Sequence, residues 1–148
     1  MSTARLVANV MVIALALGGS ATATASTAAA ARPVIILCGG QHQARPHQVV
    51  LSCADANSGV TKLHWRRWGA RRAIGHGVGF ANTCVPNCAR GRFVDLRVRV
   101  VARRVMRTPA GFRYTRLRGH AFRRPPADLP RTAIFRLSRF GPDLKSGH

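Results

Sequence analysis

Residues 53–69, CADANSGVTKLHWRRWG, contain a thiol, a carboxylate and an imidazole, from which nucleophilic and acid–base sites are built. A second histidine follows in GHGVG at 75–79. The candidates for acid–base chemistry are therefore His64 and His76, with Asp55 as the group that would orient one of them. A histidine beside tryptophan in a strand is more often a packing or rim residue, so we assign no catalytic residue.

Two short patterns resemble ligand loops and fail on spacing. Asp55 and Asn57 open a calcium-type loop, but the fifth position is Gly59 and the twelfth is Arg66, where a bidentate Glu is needed. DANSG is therefore interpreted as a turn. GHGVG lacks the spacing and the following helix of a dinucleotide loop, and close backbone approach or a β-bulge explains it better. The sequence predicts no cofactor and no metal ligand.

The four cysteines predict disulfides, because an even number in an exported chain is typical of a disulfide framework. Three pairings are possible, and the favoured one joins Cys38 to Cys53 and closes the CVPNC turn with Cys84 and Cys88. The alternative is a zinc site that uses these thiols with His64 or His76, although the second half of the pattern lacks a matching close pair.

The N-terminus has the features of a secretory signal peptide. Arg5 supplies the positive charge, 6–17 is apolar apart from one asparagine, and Ala-Thr-Ala at 23–25 fits a cleavage pattern. Residues 1–31 are predicted to be a signal peptide and small-residue leader, and residues 32–148 a single exported domain. No later stretch has the apolar length of a transmembrane helix. The predicted location is extracellular or at the cell envelope.

Charge is the strongest compositional feature. The chain has 24 Lys plus Arg against 4 acidic residues, a net charge of +20, and all but two of the cations are arginine. Such a surface attracts an anionic polymer or an anionic membrane surface. The alternative is a solvated face whose arginines reflect composition alone.

The body of the chain predicts short strands and turns. FVDLRVRVV is the clearest strand, with Val94, Leu96, Val98 and Val100 on one face and Asp95, Arg97 and Arg99 on the other. RRPPADLP, near 123–130, predicts an irregular connection. The fold class is all-β, a small disulfide-stapled antiparallel sandwich or barrel. The other predicted strands are 34–38, 48–53, 60–68, 73–80, 111–118 and 132–137.

These strands would present arginines on an outer face. Arg97, Arg99 and Arg103 project from one strand, and Arg113, with Arg116 or Arg118, projects from a later one. If the two strands are neighbours, like charges face one another, which destabilises a strand pair unless an anion intervenes. Arg66 and Arg67 are further polyanion-binding candidates.

Residues 45–93 contain four spaced motifs: Cys-x-Asp-x-Asn from Cys53, Trp-x-x-Trp-Gly from Trp65, Ala-x-Gly-x-Gly from Ala73, and Cys-x-Pro-x-Cys-Ala-x-Gly from Cys84. In these motifs and their order the segment resembles an uncharacterised family of small secreted actinobacterial proteins. The resemblance implies export and a compact β-rich domain, and it supplies no catalytic residues.

Three functions are compatible with these features. The favoured one is a secreted, non-catalytic β-domain that acts by binding at the envelope or in the medium. The second is an arginine-rich protein that binds polyanions or is active on membranes. The third is a small hydrolase or an enzyme inhibitor. The sequence predicts no small-molecule cofactor and leaves the oligomeric state open.

Overall fold

A computed structural model describes residues 32–144 of the chain. Within these residues it contains nine β-strands, one short 3-10 turn and no α-helix. None of the described residues forms a helix of the length and apolar character needed to cross a membrane. The strands are β1 (Ile35–Ile36), β2 (His42–Gln43), β3 (Val49–Val50), β4 (Ser58–Trp68), β5 (Arg72–Asn82), β6 (Phe93–Thr108), β7 (Gly111–Ala121), β8 (Thr132–Ser138) and β9 (Gly141–Leu144), and the turn is Cys38–Gly40.

Strands β3 to β9 form one antiparallel sheet in which each strand pairs with the next along the chain. A disulfide lies between its two edge strands. The Sγ atom of Cys53 is 3.7 Å from the carbonyl oxygen of Pro142 in β9, and that of Cys38 is 3.6 Å from the carbonyl oxygen of Val50 in β3. The sheet is therefore a nearly closed, barrel-like sheet stapled across its gap. The predicted all-β, disulfide-stapled class is confirmed, in its barrel form.

Both predicted cysteine pairs are present. Cys38 is bonded to Cys53, and Cys84 is bonded to Cys88. No cysteine among the described residues is free. The disulfide interpretation is confirmed, and the thiolates that the zinc alternative required are oxidised.

Strand β6 shows how the sequence specifies the sheet. Successive side chains of a strand point to opposite faces. Val98 and Val100 are buried in the barrel core and Leu96 packs against it, whereas Arg97 and Arg99 are exposed. The predicted alternation is confirmed, and the strand continues seven residues beyond the predicted segment to Thr108.

Aromatic side chains close one end of the barrel. The rings of Trp65 and Trp68 meet edge to face with 4.7 Å between centroids, and Trp68 meets Tyr114 in the same way at 5.4 Å. The indole Nε1 of Trp68 donates to the carbonyl oxygen of Pro33 at 2.9 Å, and the hydroxyl of Tyr114 donates to that of Gly69. The polar atoms of these aromatics are thus satisfied by backbone groups, as buried Trp and Tyr require.

The first predicted strand, 34–38, is shorter than expected. Only Ile35–Ile36 pairs as a strand, and Cys38 begins the 3-10 turn. The segment is anchored to β7, because the N–H of Val34 donates to the carbonyl oxygen of Phe112 at 2.9 Å. Ile35 is fully buried in the core. This segment therefore contributes core contacts and leads Cys38 to its disulfide partner.

Trp68 breaks the strict alternation of β4. Leu63 is buried in the core, and a strict period of two would put Trp68, five residues later, on the opposite face. The structure buries Trp68, which is 7% exposed. Register shifts between Thr61 and His64, and between Trp65 and Arg67, change the phase of the strand. Such β-bulges return Trp68 to the core.

Candidate functional site

A large cavity occupies the end of the barrel opposite the aromatic cluster. Its volume is about 780 Å³, within the range of roughly 300–1,000 Å³ typical of small-molecule sites. Segments 51–60, 129–131 and 138–143 contribute residues to its lining, among which Asp55, Arg131, Phe140 and Asp143 are exposed. The mouth of a barrel is a common position for a ligand site.

The cavity exists because inward-facing side chains are large at one end of the strands and small at the other. The aromatic end contains Leu63, Trp68, Tyr114, Leu117 and Leu137, all buried. The open end has small residues at the inward positions of three strands. A small barrel either fills its interior with side chains or leaves room for one ligand. This barrel is filled at the aromatic end and leaves room at the open end. The small residues are Gly79, Ala81, Gly119, Ala121 and Ala133.

Gly119 contributes most clearly to the open volume. It lies opposite Val100 on β6 and Ala133 on β8, on the inner face. A Cβ atom built on Gly119 would meet no atom within 4 Å. At Gly79 the same atom would lie 2.8 Å from Cγ1 of Val98. The space beside Gly119 is therefore available to a ligand or to a larger side chain.

The wall contributed by the strands is apolar, and the polar lining residues belong to the loops and strand ends. The strand wall includes Leu96, Val98 and Phe135. No polar or charged residue is buried within the described part of the chain. The polar lining residues are Ser52, Asp55, Asn57, Ser58, Asn82, Arg131, Ser138 and Asp143.

Asp55 lies at the cavity opening and is held by its own turn. The backbone N–H of Asn57 donates to Oδ1 of Asp55 at 3.1 Å, and the Asn57 amide donates to Oδ2 at 2.7 Å. These bonds, the backbone one first, lower the pKa of the Asp55 carboxyl below its ordinary value. Asn82 joins the same network through the amide oxygen of Asn57, at 3.2 Å. Asp55 therefore acts here as a turn-stabilising carboxylate.

The two candidate histidines lie directly opposite each other on β4 and β5. The ring of His64 faces that of His47 at 6.4 Å, and the ring of His76 stacks on Phe122 at 5.7 Å. Within residues 32–144, Asp55 makes hydrogen bonds to neither histidine. The structure brings the two imidazoles together and leaves the proposed orienting carboxylate elsewhere. No group of three or more His, Cys, Asp or Glu among the described residues is suited to hold a metal ion.

The observed strand register does not bring the predicted arginines together into one face. Arg97 faces Val78, and Arg99 lies between His76 and His120. Arg113 is opposite Met106, and its Nη1 donates to the carbonyl oxygen of Leu137 at 3.0 Å. Arg66 and Arg67 are exposed near the end of β4.

Arg103 belongs instead to a line of arginines across four adjacent strands. Arg72 on β5 lies opposite Arg103 on β6, which lies opposite Arg116 on β7, which lies opposite Arg136 on β8. We call these four residues the arginine row. The sequence predicts outward positions for Arg103 and for Arg116 or Arg118. It does not predict the other two members, because no spacing within one strand marks the row.

The positive charges around Arg116 act on its own guanidinium. The charge of Arg104 is the largest cause that lowers the pKa of Arg116, followed by desolvation and by the charges of Arg103 and Arg136. None of the causes is a carboxylate. The row is thus a region of mutual repulsion on the outer wall.

No protein-family model, curated protein or solved structure matches this chain. The resemblance of residues 45–93 to small secreted actinobacterial proteins therefore stays a prediction.

Proposed function

We propose that this protein is a secreted, non-catalytic binding domain whose barrel holds a small, neutral, lipophilic molecule. The observation that carries the proposal is the apolar cavity of about 780 Å³ at the open end. Export is supported by the signal-peptide pattern of residues 1–31 and by the two disulfides, which persist in oxidising compartments.

The strand wall of the cavity determines which ligand chemistry fits. Leu96, Val98 and Phe135 offer no hydrogen-bond donor or acceptor from their side chains. A polar ligand group buried there without a partner would cost about 1–3 kcal/mol. The ligand is therefore apolar along its buried part, and any polar group lies at the opening.

Charge at the opening favours a neutral ligand. Asp55 places negative charge there and Arg131 places positive charge there, whereas Asp143 lies opposite Arg136 on the outer face of β9. A net cation or anion would meet one group of its own sign. The Asp55–Asn57–Asn82 network also uses its hydrogen-bonding groups internally.

The test is titration of the exported protein with N-phenyl-1-naphthylamine, a neutral probe whose fluorescence rises in apolar surroundings. A neutral probe is used because an anionic dye would also bind the arginines. The wild-type protein is expected to bind it saturably at one site. Gly119→Leu should weaken binding about tenfold, because displacing two methylene-sized groups at about 0.8 kcal/mol each is sufficient.

The matched control is Val101→Phe, which adds the same number of carbon atoms as Gly119→Leu but on the outer face of β6. Val101 lies between the inward Val100 and Ala102 and is only partly buried. This variant should bind the probe as the wild type does. Non-saturable wild-type binding, or unchanged affinity in a folded Gly119→Leu protein, would show that the cavity is not a ligand site. Ala133→Leu repeats the test from another strand.

A further inference from the structure

The arginine row is a continuous line of charge on the outside of the barrel. Directly opposite residues of an antiparallel pair project from the same face with Cβ atoms about 4.5–5.5 Å apart. The register makes Arg72, Arg103, Arg116 and Arg136 successive cross-strand neighbours. At a strand spacing of about 4.8 Å, the four side chains span about 14 Å across the strands. Three are exposed and Arg116 is partly exposed, so all can contact a ligand.

This arrangement is unfavourable in the isolated protein. Like charges directly opposite one another destabilise a strand pair, and the row contains three such pairs in succession. The lowered pKa of Arg116 has the same electrostatic origin in Arg104, Arg103 and Arg136. Among residues 32–144, a carboxylate faces the row at one end only, where Asp143 on β9 lies opposite Arg136. A bound anion would convert the repulsion into attraction along the rest of the row.

The side chains beside the row indicate what kind of anion fits. Guanidinium groups pair with phosphate oxygens in a bidentate geometry. The adjacent outward positions on the same four strands are Ile74, Val101, Arg118 and Ile134, which are successive cross-strand partners. None of them is aromatic. These four neighbours therefore provide no stacking platform of the kind with which proteins bind the bases of single-stranded nucleic acids.

We propose that the arginine row binds a linear phosphate polymer that carries no bases, with the polymer lying across strands β5 to β8. This inference goes beyond the proposed cavity function, because the row is on the outer wall and the cavity is inside. Either proposal can therefore be wrong while the other is right. The guanidinium groups act as a linear set of phosphate contacts, and the strand spacing sets their separation.

The test is calorimetric titration of the exported protein with inorganic polyphosphate at several salt concentrations. The test variant is Arg103→Gln with Arg116→Gln, and the matched control is Arg97→Gln with Arg99→Gln, which removes the same charge from the outer wall. The row variant should lose about tenfold in affinity, because charge-assisted hydrogen bonds are lost. The slope of log affinity against log salt should fall by about 1.4, using the coefficient of about 0.7 per phosphate contact for single strands. The control variant should change the affinity and the salt slope much less.

Stability without any polymer supplies a second measurement. Removing two central charges of the row relieves repulsion, so the row variant should unfold at a higher temperature than the wild type at low salt. The control variant should not, because Arg97 and Arg99 do not face other arginines. Polyphosphate should raise the unfolding temperature of the wild type more than that of the row variant.

Three results would overturn the proposal. The first is an equal loss of affinity in the row and control variants, which would indicate net charge alone. The second is tighter binding of single-stranded DNA than of polyphosphate at the same salt, which would indicate base recognition. The third is binding to anionic vesicles in preference to polyphosphate, which would indicate a lipid surface.

Discussion

Alanine substitutions at Gly119 and Gly77 should change stability in opposite directions. Both glycines lie inside strands of the barrel. Glycine within a strand is less favourable than alanine by about 0.5–1 kcal/mol, because its backbone loses more freedom on folding. At Gly119 the new methyl group has open space, since nothing lies within 4 Å of the Cβ position. Gly119→Ala should therefore raise the free energy of unfolding by about 0.5–1 kcal/mol.

Gly77 is in contact with the neighbouring strand. A Cβ atom there would lie 2.7 Å from the carbonyl oxygen of Thr61 and 2.9 Å from Cγ1 of Val60. The Thr61 oxygen is a backbone atom at a register shift of β4, so it cannot move without disturbing the sheet. Overpacking of this kind costs about 1–3 kcal/mol. After the backbone gain is subtracted, Gly77→Ala should lower stability by about 0.5–2 kcal/mol.

The assay is urea unfolding of the three proteins with the disulfides intact, followed by circular dichroism. With an m-value of about 1.5 kcal/mol per molar urea, Gly119→Ala should move the midpoint upward by about 0.5 M. Gly77→Ala should move it downward with the same slope. A destabilised Gly119→Ala would refute the open space beside that residue. A stabilised Gly77→Ala would refute the close approach of β4 and β5.

Two further predictions concern the disulfides and the buried tyrosine. Replacing both Cys38 and Cys53 by Ser should lower the free energy of unfolding by about 3 kcal/mol, because their bond closes a segment with a separation of 15 residues. Replacing both Cys84 and Cys88 by Ser should lower the free energy of unfolding by about 2 kcal/mol, because these residues are separated by only 4 positions. Urea unfolding measures both losses, and equal losses in the two variants would contradict the dependence on loop length. Burial raises the pKa of Tyr114 above its ordinary value of 10.0, so its stabilising contribution is present below that pH and is lost as the pH rises through the folded-state pKa. It is the single tyrosine, so phenolate absorbance should titrate above pH 10.0 in the folded protein, and Tyr114→Phe should remove the associated loss of stability.

Local alternation explains which parts of the fold the sequence could predict. Val98 and Arg99 occupy opposite faces of β6 as expected, because the period of two belongs to the strand itself. The GHGVG glycines were interpreted as a close backbone approach, and Cβ atoms at Gly75 and Gly77 would lie 2.9 Å and 2.7 Å from backbone oxygens of β4. That interpretation is confirmed. The burial of Trp68 could not be predicted from alternation, because a bulge depends on the partner strand as well as on its own residues.

The cavity could not be predicted in the same way. Gly79, Gly119 and Ala133 are distant in sequence, and none of them indicates a cavity within its own strand. They line one space only because β5, β7 and β8 bring their small inward residues to the same end of the barrel. Register between strands sets this juxtaposition, and no single strand encodes it. The sequence does contain small residues at alternate positions. They indicate a cavity only when the order of the strands in the sheet is known.

The two proposed sites use opposite faces of the same strands. In β7, Arg116 projects outward into the arginine row, and Gly119 faces inward beside the cavity. In β6, Arg103 likewise projects outward into the arginine row, and Val98 faces inward beside the cavity. Because successive side chains of a strand point to opposite faces, changes on one face leave the other largely intact. Composition alone explains why arginine is abundant on an outer wall, but it does not explain why four arginines lie directly opposite one another where each pair is unfavourable. That placement, and not the net charge, is the basis on which the arginine row is proposed as a binding surface.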